Sequence, residues 1–283
     1  MRMGHASKTA LRVAIRRAAH HLIDRPRILD DPIAVRLIGS GFARDMERAQ
    51  HRVARDFRAF MAVRSRCVED RLAEAVAQGV RQYVVLGAGL DTFAYRNPYH
   101  ELHVFEVDFP ATQAWKQALL DEATIDLPAG LTFVPLDFER QTLAHELAKA
   151  GFDARQPAFF GWLGVVPYLT LAAFRATLDA IAQLPAGSAV SFDYALAPET
   201  LSPQGRTAFD ALAKRVAAAG EPFQLLFTPD TLEGELRRAG FQRFEQWDYE
   251  QLNELYFKNR ADGLKLSAVG LEMLATAWVR GAF

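Results

Sequence analysis

The 283-residue sequence has a single cysteine, Cys67, so it can form neither an intrachain disulfide nor a thiolate metal cluster. It has no run near the ~18 consecutive apolar residues that a membrane-spanning helix needs. Net charge is also missing: 33 Lys and Arg stand against 34 Asp and Glu, which gives no general attraction to nucleic acid or to an anionic membrane. Repeats, low-complexity tracts and flexible linkers are absent, and no metal-ligand spacing is visible. Acid is absent from the N-terminus, MRMGHASKTALRVAIRRAAHHLI, as far as Asp24. That composition resembles a transit peptide, but without a long apolar core it is not a secretory signal. An amphipathic helix fits the segment better, with Leu11, Ile15, Ala18 and Leu22 on one stripe and Arg12, Arg16 and His20 opposite. A soluble cytoplasmic protein is expected.

What is present is an apolar half, enough to bury a substantial core. The first eighty residues read as helices and loops, with a break over 23–34 that contains two prolines and an aspartate cluster. A helix over 52–78 ends at Gly79. The period then changes. QYVVLG (82–87), LHVFEV (102–107), LTFVPL (131–136), AFFGWL (158–163) and SAVSFDY (188–194) are short β-rich runs, and helical segments at 110–121, 140–150 and 170–183 separate them. This alternation predicts a mostly parallel sheet with helices on both faces. Further on, 205–219 and 230–239 read as helices, and 241–248 and 271–280 as two closing strands separated by a polar stretch. The expected organisation is one α/β domain over 1–283: a helical cap (1–80), a core (81–195), a lid or helical insert (196–240) and the closing strands (241–283).

Ligands of such sheets sit beyond the carboxyl ends of the strands, so the residues closing each strand matter most. The first strand closes on Gly87-Ala88-Gly89-Leu90-Asp91-Thr92, and the glycines let backbone approach a ligand closely. The second closes on FEVD, where Asp108 can accept hydrogen bonds from both hydroxyls of a ribose. The third closes on PLDFE, where Asp137 can accept from an adenine amino group. Phe138 can offer its amide to the ring nitrogen and its side chain to the ring face. Nicotinamide dinucleotides and S-adenosylmethionine share the first two features. Thr92 in place of a third glycine, and the charge of Asp91 beside any pyrophosphate, argue against the dinucleotide.

On these motifs the sequence resembles the leucine carboxyl methyltransferase family, in particular its bacterial branch of class I S-adenosyl-L-methionine-dependent methyltransferases. QYVVLGAGLDTFAYR is similar to the glycine motif of that branch, FEVDFPATQAWK to its second-strand motif and FVPLDFE to its third. WLGVVPYLT and AVRSRCVEDRL are similar to the fourth-strand and preceding-helix motifs, so the resemblance covers nearly the whole chain. It implies a Rossmann-like fold with a seven-stranded sheet, S-adenosyl-L-methionine as cofactor, and methyl transfer to a small-molecule or peptide acceptor. It makes Asp108 the ribose ligand, Asp137 and Phe138 the adenine site, Gly87 and Gly89 the close-approach turn, and Arg64 the cation for the methionyl carboxylate. Arg64 has separate support: it falls inside the apolar stripe of Phe57, Phe60, Met61, Cys67 and Val68, where an arginine either snorkels out or meets a buried anion. Eukaryotic members carry an acid where Leu163 stands, so Leu163 puts that contact in doubt, with Asp91 a conceivable substitute toward the ammonium group.

A carboxylate acceptor is already ionised at neutral pH, whereas a hydroxyl needs a base within hydrogen-bond reach. The histidines supply no evident base: His103 lies in a strand, and His20, His21 and His145 read as solvated. A carboxylate acceptor is favoured on that ground, with a hydroxyl acceptor as the alternative. Tyr168, just past the fourth strand, is either an acceptor-orienting residue or a core tyrosine. Tyr95 and Arg96 read as structural. Two other readings stay open: a nicotinamide-dependent oxidoreductase, and a cofactor-binding protein without transfer activity. Oligomeric state is not legible.

Overall fold

The structure, a computed structural model, describes residues 8–39, 52–138, 140–218 and 220–279. Parts of the expected cap (1–7 and 40–51) and the end of the expected last strand lie outside the described residues. The five short runs and the two closing segments all form strands: β1 (Gln82–Leu86), β2 (His103–Asp108), β3 (Leu131–Pro135), β4 (Ala158–Trp162), β5 (Ala189–Ala195), β6 (Arg243–Trp247) and β7 (Glu272–Trp278). They make one sheet in the order β3-β2-β1-β4-β5-β7-β6. Pairing is parallel from β3 to β5, and β7 runs antiparallel to both of its neighbours. The central strands β1, β4 and β5 are buried at every position, as strands covered on both faces must be, while the edge strands β3 and β6 are only partly buried.

The helices among the described residues are α1 (Lys8–Ile23), α2 (Pro32–Ile38), α3 (Arg52–Ala77), α4 (Pro110–Glu122), α5 (Leu143–Lys149), α6 (Leu171–Ala182), α7 (Pro203–Ala218), α8 (Pro229–Ala239) and α9 (Tyr249–Tyr256). Side chains alternate across β1. Val84 and Leu86 join one core with Leu147 of α5, Phe174 and Leu178 of α6 and Leu232 and Leu236 of α8. Tyr83 and Val85 join another with Val68, Leu72 and Ala75 of α3.

Two helices correct the sequence reading. The 23–34 break hides the start of α2, where Pro32 occupies the first turn and the Asp31 carboxylate caps the amide of Ala34. The polar stretch after β6 hides α9, opened by a capping box of Asp248 and Gln251. α1 forms as expected but rotated from its predicted face: Leu11 and Leu22 are 37% and 40% exposed, while Ala14, Arg17, Ala18, Ala19 and His20 are buried. Polar pairing sets that rotation. The His20 ring nitrogen Nε2 accepts from the amides of Ile28 and Leu29, which places the proton on Nδ1, and that N–H donates to Asp24. Arg58 of α3 donates to both Asp24 oxygens, at 2.8 and 2.9 Å, and so ties α1 to α3. Burial works against the Asp24 carboxylate, but His20 and Arg58 hold its pKa down at about 2.

Candidate active site

β1 pairs with β2 on one side and β4 on the other, so the connections leaving its neighbourhood diverge and open a crevice at the carboxyl ends of the strands. Beyond Leu86 the chain turns through Gly87 (φ 66°) and Gly89 (φ 49°), left-handed conformations that favour glycine. The amides of Gly87 and Ala88 donate to the Val107 carbonyl at 2.8 and 3.0 Å, which stitches the turn to the end of β2. The sequence reading gave Gly87 to a ligand. In the structure a Cβ there would fall 2.3 Å from Cγ2 of Val165, so this glycine first makes room for the protein's own loop after β4. A Cβ on Gly89 would lie 3.2 Å from that of Ala10, because α1 covers the turn.

Asp108 ends β2 with its carboxylate buried at the turn. Its two oxygens accept from the amides of Gly89 (2.5 Å) and Phe109 (2.6 Å). Burial raises its pKa, and those two amides and Lys116 oppose the rise. Each carboxylate oxygen keeps a second accepting position, so a pair of donors from a ligand can still be received. Asp137, past β3, has its amide donating to Gln141 and its carboxylate 3.7 Å from the Arg140 guanidinium. Phe138 follows, half-buried against the main core.

Beneath the turn lies a buried ionic network. Arg17 pairs with Asp31 at 2.6 Å and with Asp91 at 2.9 Å, and also donates to the Thr92 hydroxyl, which in turn donates to Asp31. Burial opposes the Asp91 charge, but Arg17 chiefly, then Lys116 and Arg96, hold its pKa down. The chain then makes a short 3-10 turn, Phe93–Arg96, with Arg96 paired to Glu69. Tyr95 and Arg96 lie on this 3-10 turn, and neither lines the cavity over the strand ends. The place where a dinucleotide would seat its pyrophosphate on a helix N-terminus thus holds a filled ion network and a 3-10 turn.

A cavity of about 1270 Å³ opens over these strand ends, lined by Arg64, Gly87, Gly89, Asp108, Asp137, Phe138 and Tyr168. Every residue nominated from the sequence therefore reaches one space. The volume exceeds that of a typical single-ligand pocket, ~300–1,000 Å³, and leaves room for a second molecule. Arg64 does not snorkel: it is 5% exposed and donates through Nη1 to Asp193 of β5 at 2.6 Å. Its anion is thus supplied partly by the protein. Its Nε is buried without a partner, and Nη2 lies 3.2 Å from where a Gly164 side chain would begin. The other Asp193 oxygen accepts from the Gly164 amide. Tyr168 is half-buried, with its ring 5.5 Å from that of Phe223, and burial together with Glu272 and Glu221 pushes its phenol pKa up. Leu163 lies between the α3 core and the cavity.

Sequence reading missed Glu272. It opens β7 and lines the cavity, with no hydrogen bond or ion pair to any other described residue. Burial first, then the Asp193 charge, push its pKa up to about 7, against the pull of Arg64. Because β7 is antiparallel, its first residue meets the carboxyl ends of the other strands. The one available signal was an acid at the head of an otherwise apolar run, LEMLATAW. The histidines were misjudged in part: His20 is fully buried and His21 takes the Asp31 amide, while His103 bonds Thr132 within the sheet and His145 is exposed. None of the four lines the cavity.

Comparison with known proteins agrees with this architecture. The chain is 34% identical to YktD of Bacillus subtilis strain 168, a protein named for an inferred S-adenosyl-L-methionine-dependent methyltransferase activity, over 93% of this chain and 95% of that protein. A similarly named protein of Mycobacteroides abscessus is 36% identical over 68% of this chain and 64% of its own length. Among solved structures, a DUF574-family protein of Streptomyces avermitilis superposes with a TM-score of 0.58 at 19% identity, covering 94% of this chain and 97% of that one, which is a likeness of fold. The sequence profile of the family described as leucine carboxyl methyltransferase matches residues 10–182, a span that holds the glycine turn, Asp108, Asp137 and Arg64. The chain belongs to the leucine carboxyl methyltransferase family.

Proposed function

We propose that this protein transfers a methyl group from S-adenosyl-L-methionine to a carboxylate oxygen of a small molecule or peptide, as one methyltransferase domain. The observation that carries the cofactor reading is the meeting of Asp108, Asp137, Phe138, Arg64 and the glycine turn in one cavity where the strand order reverses. The residues fit the group. Asp108 has accepting positions left for the ribose hydroxyls, and Arg64 has a buried Nε with no partner to offer the methionyl carboxylate. Asp137 and the Phe138 amide would take the adenine edge. The cofactor supplies a methyl group activated on a sulfonium.

The remaining work is positional. The chain must hold the accepting oxygen in line with that methyl and exclude water, and such placement can be worth ~7–11 kcal/mol. α1 and α3 of the cap and α7 of the lid segment would cover the crevice, and Tyr168 would orient the acceptor. Family membership favours a carboxylate. Glu272 favours the second reading, a hydroxyl acceptor, because an unpartnered cavity carboxylate with a pKa of about 7 has the character of a general base.

Calorimetry tests the cofactor reading: S-adenosylhomocysteine should bind and NAD should not, and the reverse would make the protein an oxidoreductase. Transfer of labelled methyl to a panel of carboxylic acids and phenols, followed by mild alkali, tests the acceptor. Methyl esters release their label and methyl ethers keep it. Base-stable label would replace the carboxylate reading with the hydroxyl one, and absence of any transfer despite cofactor binding would favour a binding protein.

A further inference from the structure

Three arginines line one cavity: Arg12 and Arg16 of α1 and Arg215 of α7. Arg16 lies over the Phe57 ring at 4.9 Å and donates through Nη1 to the Arg12 carbonyl, while its Nε is buried without a partner. Burial first, then Arg12 and Arg215, disfavour its charge, so the Arg16 guanidinium is repelled from both sides. Among the described residues no carboxylate lies within ion-pair distance of any of them, although Asp56 and Glu221 line the same cavity. The other cavity arginines are engaged differently: Arg17 with Asp31 and Asp91, Arg64 with Asp193, and Arg140 beside Asp137. The trio is set between two elements that touch. Thr9 of α1 donates to Glu221, just beyond α7, at 2.5 Å. Around the arginines the wall is apolar, with Phe57, Phe60, Leu212, Val216 and Phe223.

Three guanidinium groups at the edge of an apolar cavity, with no carboxylate of the described residues within ion-pair distance, favour an anion between them. Resting on the methyltransferase reading, we propose that Arg12, Arg16 and Arg215 form the acceptor's recognition site and take an anionic group, carboxylate or phosphate, carried on an apolar body. That group is not the methylated atom. An oxygen shared among three guanidinium groups has its lone pairs occupied and its charge neutralised, which makes it a poor nucleophile. The acceptor therefore carries an anion in addition to its reacting oxygen, and the arginines select for it.

The test uses octanoate, octyl phosphate and octanamide as probes, titrated calorimetrically into the full-length protein with and without saturating S-adenosylhomocysteine. Both anions should bind at least tenfold more tightly than the amide, which matches octanoate in shape. Octanoate against octyl phosphate distinguishes the two headgroups. Arg16→Gln and Arg215→Gln should each cost the anions tenfold or more, leave octanamide unchanged, and alter S-adenosylhomocysteine affinity less than threefold. Equal binding of octanamide, or anion binding unaffected by both substitutions, overturns the site. Loss of S-adenosylhomocysteine affinity in parallel with the anions overturns it too, by giving the arginines to the cofactor. A wild type that prefers the anions but never binds S-adenosylhomocysteine supports the anion site and refutes the methyltransferase reading instead. Arg215 is exposed, so its substitution separates recognition from folding.

Discussion

Replacing Asp108 with Asn removes one accepting oxygen and the charge while keeping the shape of the side chain. In the free protein the two carboxylate oxygens already hold the amides of Gly89 and Phe109, so the variant can satisfy one amide and must turn its own NH2 toward the other. One orphaned buried amide costs about 1–3 kcal/mol, which should appear as a lower melting temperature without loss of the fold. The proposed ribose loses at least one charge-assisted hydrogen bond, worth about 1.5–3 kcal/mol, so the Kd for S-adenosylhomocysteine should rise between about 10-fold and 150-fold. Isothermal titration at neutral pH measures this directly, with circular dichroism confirming the fold. A dideoxyribose analogue of S-adenosylhomocysteine isolates the contact: it should bind the wild type more weakly than the parent, yet lose little further affinity in the variant. An Asp108→Asn protein that stays folded and binds S-adenosylhomocysteine within threefold of wild type would show that the carboxylate serves the turn and not the ligand.

Arg64→Met would strand Asp193 beside Glu272 with no cation, a break worth about 3–5 kcal/mol, so apo stability should fall sharply. Arg64→Lys keeps that cation and removes the fork. It should weaken S-adenosylhomocysteine about tenfold in calorimetry but leave a decarboxylated analogue unaffected, and an equal loss for both ligands would make Arg64 purely structural. Gly87→Ala adds a methyl 2.3 Å from Val165 at φ 66° and should cost about 2–5 kcal/mol by urea unfolding; pairing it with Val165→Ala should recover the steric part only. The Asp24 carboxyl, at about 2 when folded against 3.8 for an unperturbed group, contributes roughly 2 kcal/mol that is complete above pH 3.8 and lost as pH falls toward 2. Asp24→Asn should therefore flatten the acid limb of the stability profile in that window. Glu272 reads the acceptor: transfer to a hydroxyl should speed up as pH rises through about 7, and transfer to a carboxylate should slow as the newly charged Glu272 repels it.

The central strands could be read from runs of β-branched and aromatic residues because they are buried on both faces, and there the local apolar signal and the tertiary environment coincide; the partly buried edge strands β3 and β6 carry a weaker signal. The cavity residues were legible for a related reason: Asp108 ends β2, while Asp137 and Tyr168 lie in the connections that leave β3 and β4, and the carboxyl ends of such strands are where ligands lie. The face that α1 buries was not legible. An apolar stripe would have turned Leu11 and Leu22 inward. Instead His20, Arg17 and their partners Asp24, Asp31 and Asp91 dictate the rotation, and those partners lie beyond the helix, in the α1–α2 connection and in the turn after β1. Hydropathy counts such residues as outward-facing until their pairing is known. α2 and α9 escaped because prolines and a polar composition read as loop, although Asp31-Pro32 and Asp248-x-x-Gln251 are both helix starts.

Glu272 bears on the departure at Leu163 from the pattern of the family that the sequence resembles. The resemblance puts an acid of the eukaryotic members where Leu163 stands, just past β4, which suggests a cavity with one carboxylate fewer. A cavity, however, is pooled from several strand ends, and charge lost at one can stand at another. Leu163 and Glu272 line the same space, the first leaving β4 and the second entering β7, with β5 between those strands. Asp193 on that intervening strand feels both sides: it binds Arg64 and raises the pKa of Glu272. The charge around Arg64 is therefore set by Asp193 and Glu272 together, and Leu163 alone does not describe it. An acid whose pKa stands at about 7 can change charge near neutrality, which a carboxylate in the ordinary range does not do. The same group would assist a hydroxyl acceptor when ionised and tolerate a carboxylate acceptor when protonated. With Leu163 apolar, the cavity still holds a carboxylate at Glu272, and the pH dependence of transfer is the measurement that tells which acceptor that carboxylate suits.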